Sequence, residues 1–131
     1  MKPIYVKLIL AALFSSSIVP GYATTYPLSG STTTAVSLTG TAWDITADST
    51  FTSTVSSGNA VSVTSTGTDL NFTQVSGSSI IGGNSAIFAT NNGTGVTTIS
   101  TAGSIKGGDS GMGINVASGA AIQKGLTGLI K

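Results

Sequence analysis

Apolar and small polar residues alternate along much of the chain. Val36-Ser37-Leu38-Thr39, Trp43-Asp44-Ile45-Thr46, Val61-Ser62-Val63-Thr64, Leu70-Asn71-Phe72-Thr73 and Ile114-Asn115-Val116 each place apolar side chains on one side of an extended backbone and polar ones on the other. The pattern predicts short β-strands with one buried face. Gly40, Gly58-Asn59, Gly67, Gly77, Gly82-Gly83, Asn92-Gly93 and Gly107-Gly108 separate these runs with residues suited to corners. No stretch after Phe14 has a helical period, and the abundance of Thr, Val and Ile favours a pleated surface over a helix.

A phrase then returns in phase. Ser79-Ile80-Ile81-Gly82-Gly83-Asn84-Ser85 is nearly copied further on as Ser104-Ile105-Lys106-Gly107-Gly108-Asp109-Ser110, and a looser third copy is read at Ala121-Ile122-Gln123-Lys124-Gly125. Sandwiches and barrels also contain short strands and tight turns, but they do not require one phrase to recur at a fixed interval. A solenoid does, because it sets each residue above its counterpart one coil earlier. The expectation is an all-β chain folded as a short right-handed parallel β-helix of roughly four coils, about 20 Å tall at the usual strand spacing. Ile80 and Ile105 should stack inward in adjacent coils, with Thr98 on the outer face. Asp109 and Ser110 should occupy the corner held by Asn84 and Ser85 one coil earlier.

The segment 1–23 stands apart. Lys2 and Lys7 precede the apolar run Leu8 to Phe14, Ile18 and Val19 extend it, Pro20 ends it, and Gly21-Tyr22-Ala23 places small residues where a signal peptidase cuts. This reads as a secretory signal peptide cleaved after Ala23. A membrane-spanning helix needs about 20 apolar residues, more than this run has, and a lipid anchor is excluded because the chain has no cysteine. The resulting organisation is a signal peptide at 1–23, a β-rich N-terminal cap with the first coils at 24–76, and further coils at 77–131 that look truncated.

Removing that segment changes the charge. From Thr24 onward the chain carries Lys106, Lys124 and Lys131 against Asp44, Asp48, Asp69 and Asp109, with no arginine and no glutamate. Such a surface has no basic patch for phosphates, which argues against nucleic-acid binding. Thr, Ser and Gly make up about half of this region, yet recurring apolar residues and low charge set it apart from a disordered linker. Without cysteine, stability must come from backbone pairing and burial. Open strand edges at both ends and little charge to oppose edge-to-edge contact predict self-association.

Candidate chemistry is sparse. Gly108-Asp109-Ser110-Gly111 has the look of a serine-protease nucleophile loop, but the chain has no histidine to act as base. Zinc lacks its His and Cys ligands, and Asp109 alone does not make a calcium cage. Asp44 and Asp48, four positions apart, and Asp69 are the carboxylates available for glycoside chemistry. Trp43, Tyr26 and Phe51 invite comparison with a sugar-stacking platform, although a role for Trp43 in covering the N-terminal end of the stack is the preferred reading. Asn71-Phe72-Thr73 and Asn92-Gly93-Thr94 fit glycosylation sequons. No catalytic residue, cofactor or metal site is assigned.

The segment Gly103 to Lys131, with its succession of Gly-Ser-Ile, Gly-Gly, Gly-Ile, Val, Gly-Ala, Ile and Gly-Leu, resembles the passenger repeats of bacterial autotransporters, and the copy from Gly77 extends the likeness to about half of the chain after Ala23. The resemblance implies a parallel β-helix exported through the Sec pathway and carried to the cell surface by a C-terminal β-barrel. No run of barrel strands is visible in this sequence. What it implies about function is a non-catalytic, adhesin-like surface segment contacting a host or neighbouring-cell surface or glycan, held in the periplasm when made without its translocator. The alternative is a piece of a secreted β-helix polysaccharide lyase or glycoside hydrolase using Asp44, Asp48 or Asp69.

Overall fold

The structure of the protein, a computed structural model, describes residues 23–118, 122–126 and 129–130. The segment 1–23, read above as a signal peptide, lies outside the described residues except for Ala23. Fourteen strands and no helix occur among the described residues. They are β1 (Thr24–Leu28), β2 (Ser31–Thr32), β3 (Val36–Gly40), β4 (Trp43–Ala47), β5 (Thr52–Thr54), β6 (Val61–Ser65), β7 (Leu70–Gln74), β8 (Ser79–Ile81), β9 (Ile87–Asn91), β10 (Thr97–Thr101), β11 (Ser104–Lys106), β12 (Ile114–Ser118), β13 (Ile122–Leu126) and β14 (Leu129–Ile130).

Each strand from β1 to β11 pairs in parallel with the strand three later, which gives the sheets β1-β4-β7-β10-β13, β2-β5-β8-β11-β14 and β3-β6-β9-β12. This is the expected right-handed parallel β-solenoid, three strands to a coil. Parallel pairing with a side-chain period of two turns the alternation of the sequence into vertical rows. Inside the first sheet stand Tyr26, Ile45, Phe72 and Ile99, beside a row of Trp43, Leu70 and Thr97. Ser53, Ile80 and Ile105 form the inner row of the second sheet. The third contributes Val36, Val61, Ile87 and Ile114 together with Leu38, Val63, Ala89 and Val116. Ile80 and Ile105 are register partners with 0% exposure each, as the repeat predicts.

The repeat length is not constant. The step between register partners is short from Thr24 to Trp43, longer from Ser31 to Thr52, longer again from Ile80 to Ile105 and longer still from Leu70 to Thr97. Strands hold their register while corners absorb the difference. Two expectations fail for this reason. Ile122 pairs with Thr97 in the first sheet, and the partner of Ile105 is Ile130, so the phrase at Ala121–Gly125 is out of phase and Leu129-Ile130 is the true return. An apolar residue beside a polar one suits any of the three sheets, so the phrase alone does not set the phase.

The second correction concerns the corner before β12. Ile80 and Ile105 are register partners, as are Ile87 and Ile114, and the stretch from Ile105 to Ile114 is longer by two positions than that from Ile80 to Ile87. Gly108 lies over Gly83 and Gly111 lies over Asn84, close enough that an added Cβ on either would overlap the carbonyl oxygen beneath it. Asp109 and Ser110 are therefore an insertion, closed by the Gly111 N–H donating to the Gly108 carbonyl at 3.0 Å. They are not the counterparts of Asn84 and Ser85.

Polar side chains also enter the core, mostly near corners. The Ser65 hydroxyl sets its one proton between the Thr41 and Thr68 carbonyl oxygens, 2.8 and 3.0 Å away. Asn91 donates through Nδ2 to the Thr68 carbonyl at 3.1 Å and accepts from the Gly93 N–H at 2.9 Å. Gln74 Nε2 donates to the Ser104 carbonyl one coil on, at 3.1 Å. These bonds join buried side-chain polar atoms to backbone groups, so the atoms named keep partners in the core.

Candidate functional surface

The outward rows follow from the same registers. On the first sheet they are Thr25, Asp44, Asn71 and Thr98, beside Pro27, Thr46, Thr73 and Ser100. Thr46, Thr73 and Ser100 are all exposed. Parallel pairing sets neighbours within a row about 4.8 Å apart and the two rows about 6.6 Å apart along the strand. The third sheet presents Ser37, Ser62, Phe88 and Asn115, beside Thr39, Thr64, Thr90 and Ala117. Hydroxyls and amides predominate on these two faces, broken by Pro27, Phe88 and Ala117, with Asp44 as the one charge on the rows named.

The other carboxylates take separate positions. The Asp48 carboxylate, at the corner after β4, accepts from the Thr50 N–H at 2.8 Å and from the Thr50 hydroxyl at 2.6 Å. Asp69 stands at the corner before β7 and accepts the Val96 N–H of the next coil at 2.8 Å. Both tie a bend together. Asp44 instead projects from a sheet face, and exposed Asp109 sits with Ser110 in the insertion before β12. Each carboxylate therefore has its own setting on the column. Among the described residues no group of three or more His, Cys, Asp or Glu gathers to hold a metal ion.

The aromatic residues do not form a platform. Trp43 and Phe51 are 1% and 2% exposed, inside the second coil. The Trp43 indole N–H donates across the interior to the Thr64 carbonyl at 3.0 Å, and Tyr26 meets its ring edge-on at 6.3 Å and 84°. Trp43 consequently covers no end of the stack, because β1 lies on its N-terminal side. Tyr26 is the half-buried aromatic of the first coil, and burial pushes its phenol above the ordinary 10.0. Of the two sequons, Asn71 faces outward from the first sheet, and Asn92 is exposed at the corner after β9.

The sequence reading overlooked one feature, a cavity of about 440 Å³ at the N-terminal mouth of the column, bordered by Tyr26, Leu28, Val36 and Phe51. Its available signal was the uncharged run from Thr24 to Trp43. Among the described residues no helix is long and apolar enough to cross a membrane. Comparison with protein-family models, with curated proteins and with solved structures finds no match to this chain.

Proposed function

We propose that this chain is a non-catalytic, exported surface segment of the autotransporter-passenger kind, which uses the outer face of its first sheet to contact a neutral glycan or another polar cell surface. The observation that carries the reading is the exposed row Thr46, Thr73 and Ser100, held in register by β4, β7 and β10. A parallel ladder fixes hydroxyl spacing without side-chain help, so an ordered set of donors and acceptors is available before any partner arrives. Low charge suits a neutral partner. The segment at 1–23 supplies the export step in this reading, through the Sec pathway, with the periplasm as the destination of the chain when no barrel accompanies it. The separate settings of Asp44, Asp48 and Asp69 lend no support to a glycoside-cleaving alternative.

The test is direct binding by the exported protein to intact cells and to immobilised neutral glycans, compared with the triple variant Thr46→Ala, Thr73→Ala, Ser100→Ala. Loss of three exposed hydroxyls should weaken binding about tenfold or more while leaving the β-sheet circular dichroism unchanged. Equal binding by both proteins, or none by the wild type, refutes this assignment.

A further inference from the structure

Among the described residues the N-terminal end of the column is open. β1, β2 and β3 form its terminal coil on that side, and among the described residues no strand pairs with their outer edges. Within this coil Tyr26, Leu28 and Val36, with Phe51 beneath, surround the 440 Å³ cavity. An apolar mouth framed by unpaired backbone is a surface that water satisfies poorly.

The three edges are not equivalent. In a parallel ladder the N–H and carbonyl of one residue turn to the same neighbouring strand. The Thr24 N–H donates to the Ala42 carbonyl and the Leu28 carbonyl accepts the Asp48 N–H, so Thr25 and Pro27 turn toward the open side. Pro27 has no N–H to offer there. β2 comprises only Ser31 and Thr32. In β3 the Val36 N–H donates to the Ala60 carbonyl, which leaves Ser37 and Thr39 turning a complete donor and acceptor each toward the open side. Residues 24–40 contain no charged side chain, so this edge lacks the lysine that commonly guards one.

We propose that this end is closed by a second copy of the chain, joined through an antiparallel β3–β3 pair about a twofold axis passing at Leu38. The proposal rests on processing after Ala23, which leaves β1 as the first strand of the exported protein. In such a pair Ser37 of each copy stands opposite Thr39 of the other, and the outward donors and acceptors of these two residues form the closely spaced bonds of an antiparallel ladder. The rotation lays β1 over β2 of the second copy, where the donor missing at Pro27 meets a very short strand that needs little of it. Continuation of one column by another in parallel would instead require a full ladder on β1. A twofold contact sets like surfaces against each other, and a charged end would repel itself; this end has no charged side chain. The α-amino group created at Thr24 lies on β1, away from its own counterpart. The two mouths meet and shield the half-buried Tyr26 and Val36 from water.

The experiment measures the mass of the exported protein by sedimentation over a range of concentrations, with N-terminal sequencing of the same sample. A dimer is expected. Ser37→Lys with Thr39→Lys puts lysine opposite lysine across the pair and should halve the mass; Ser37→Lys with Thr39→Asp puts lysine opposite aspartate and should keep the dimer. Both side chains are exposed and face away from the core, so circular dichroism should be the same for all three proteins. A monomer, a filament, or a dimer indifferent to the lysine pair overturns the proposal. An N-terminus at Met1 refutes the processing reading separately.

Discussion

At the scale of single residues, the inner rows make sharp demands and the outer rows make few. Ile105 has no exposed surface and stacks on Ile80, so Ile105→Asp forces a carboxylate into an apolar row and should cost about 4 kcal/mol. Thr98→Asp, beside Asn71 on the outer face, should stay within about 0.5 kcal/mol of wild type. Denaturant unfolding followed by Trp43 fluorescence measures both, and equal costs would overturn the inward assignment of Ile105. Thr97 makes the opposite case. Its hydroxyl is buried beside Leu70 and has no hydrogen-bond partner among the described residues. Thr97→Val keeps the shape and removes the unsatisfied oxygen, and should stabilise the protein by about 1 kcal/mol in the same assay. Tyr26 adds a pH dependence. Its folded phenol titrates above 10.0 while the unfolded one does not, so its contribution is complete below pH 10.0 and is lost as pH rises beyond it. Tyr26→Phe should remove that part of the alkaline loss, as seen in unfolding midpoints measured across the range.

At the scale of elements, strands are readable in the sequence and corners are not. β3, β4, β6, β7 and β12 announce themselves because their inner residues are apolar and their outer residues polar. β10 hides, since Thr97 and Thr101 face inward around Ile99, and β9 hides because Phe88 faces outward between the inner residues Ile87 and Ala89. A hydrophobic alternation cannot report a strand that places threonine in the core. Corners carry the phase, and corner length varies, which is why Ile122 belongs to a different sheet from the one the wording of its phrase suggests. The insertion at Asp109-Ser110 lends itself to a test. Deleting both residues joins Gly108 to Gly111 and restores the length of the preceding coil, so stability should change by less than about 1 kcal/mol. Gly111→Ala adds a methyl against the Asn84 carbonyl and should cost more than the deletion. Thermal unfolding of the two variants compares them, and a costlier deletion would mean that the insertion is integral to the coil.

At the scale of the whole molecule, the fold was legible because one recurring phrase sufficed to choose a stack over a closed sandwich. The candidate surface was legible only in outline. Alternation assigns Thr46 and Thr73 to an outer face, but their alignment into one row with Ser100 depends on a longer step than the one that separates Ile80 from Ile105, and the repeated phrase does not reveal it. The mouth at the N-terminal end was not legible, since it is framed by residues distant in the chain, with Phe51 of the second coil beneath β1 to β3. Regular registers joined by elastic corners have an evolutionary corollary. Leu70 and Thr97 are register partners one coil apart, so an in-frame duplication of the stretch from Leu70 to Val96 would insert one more rung without altering any face. Small-angle scattering should show a column about 4.8 Å longer with the same cross-section, and a change in cross-section would show that the rungs are not interchangeable. A molecule built this way is a ruler: unequal copying of its own gene can set the length of the column in increments of one strand spacing.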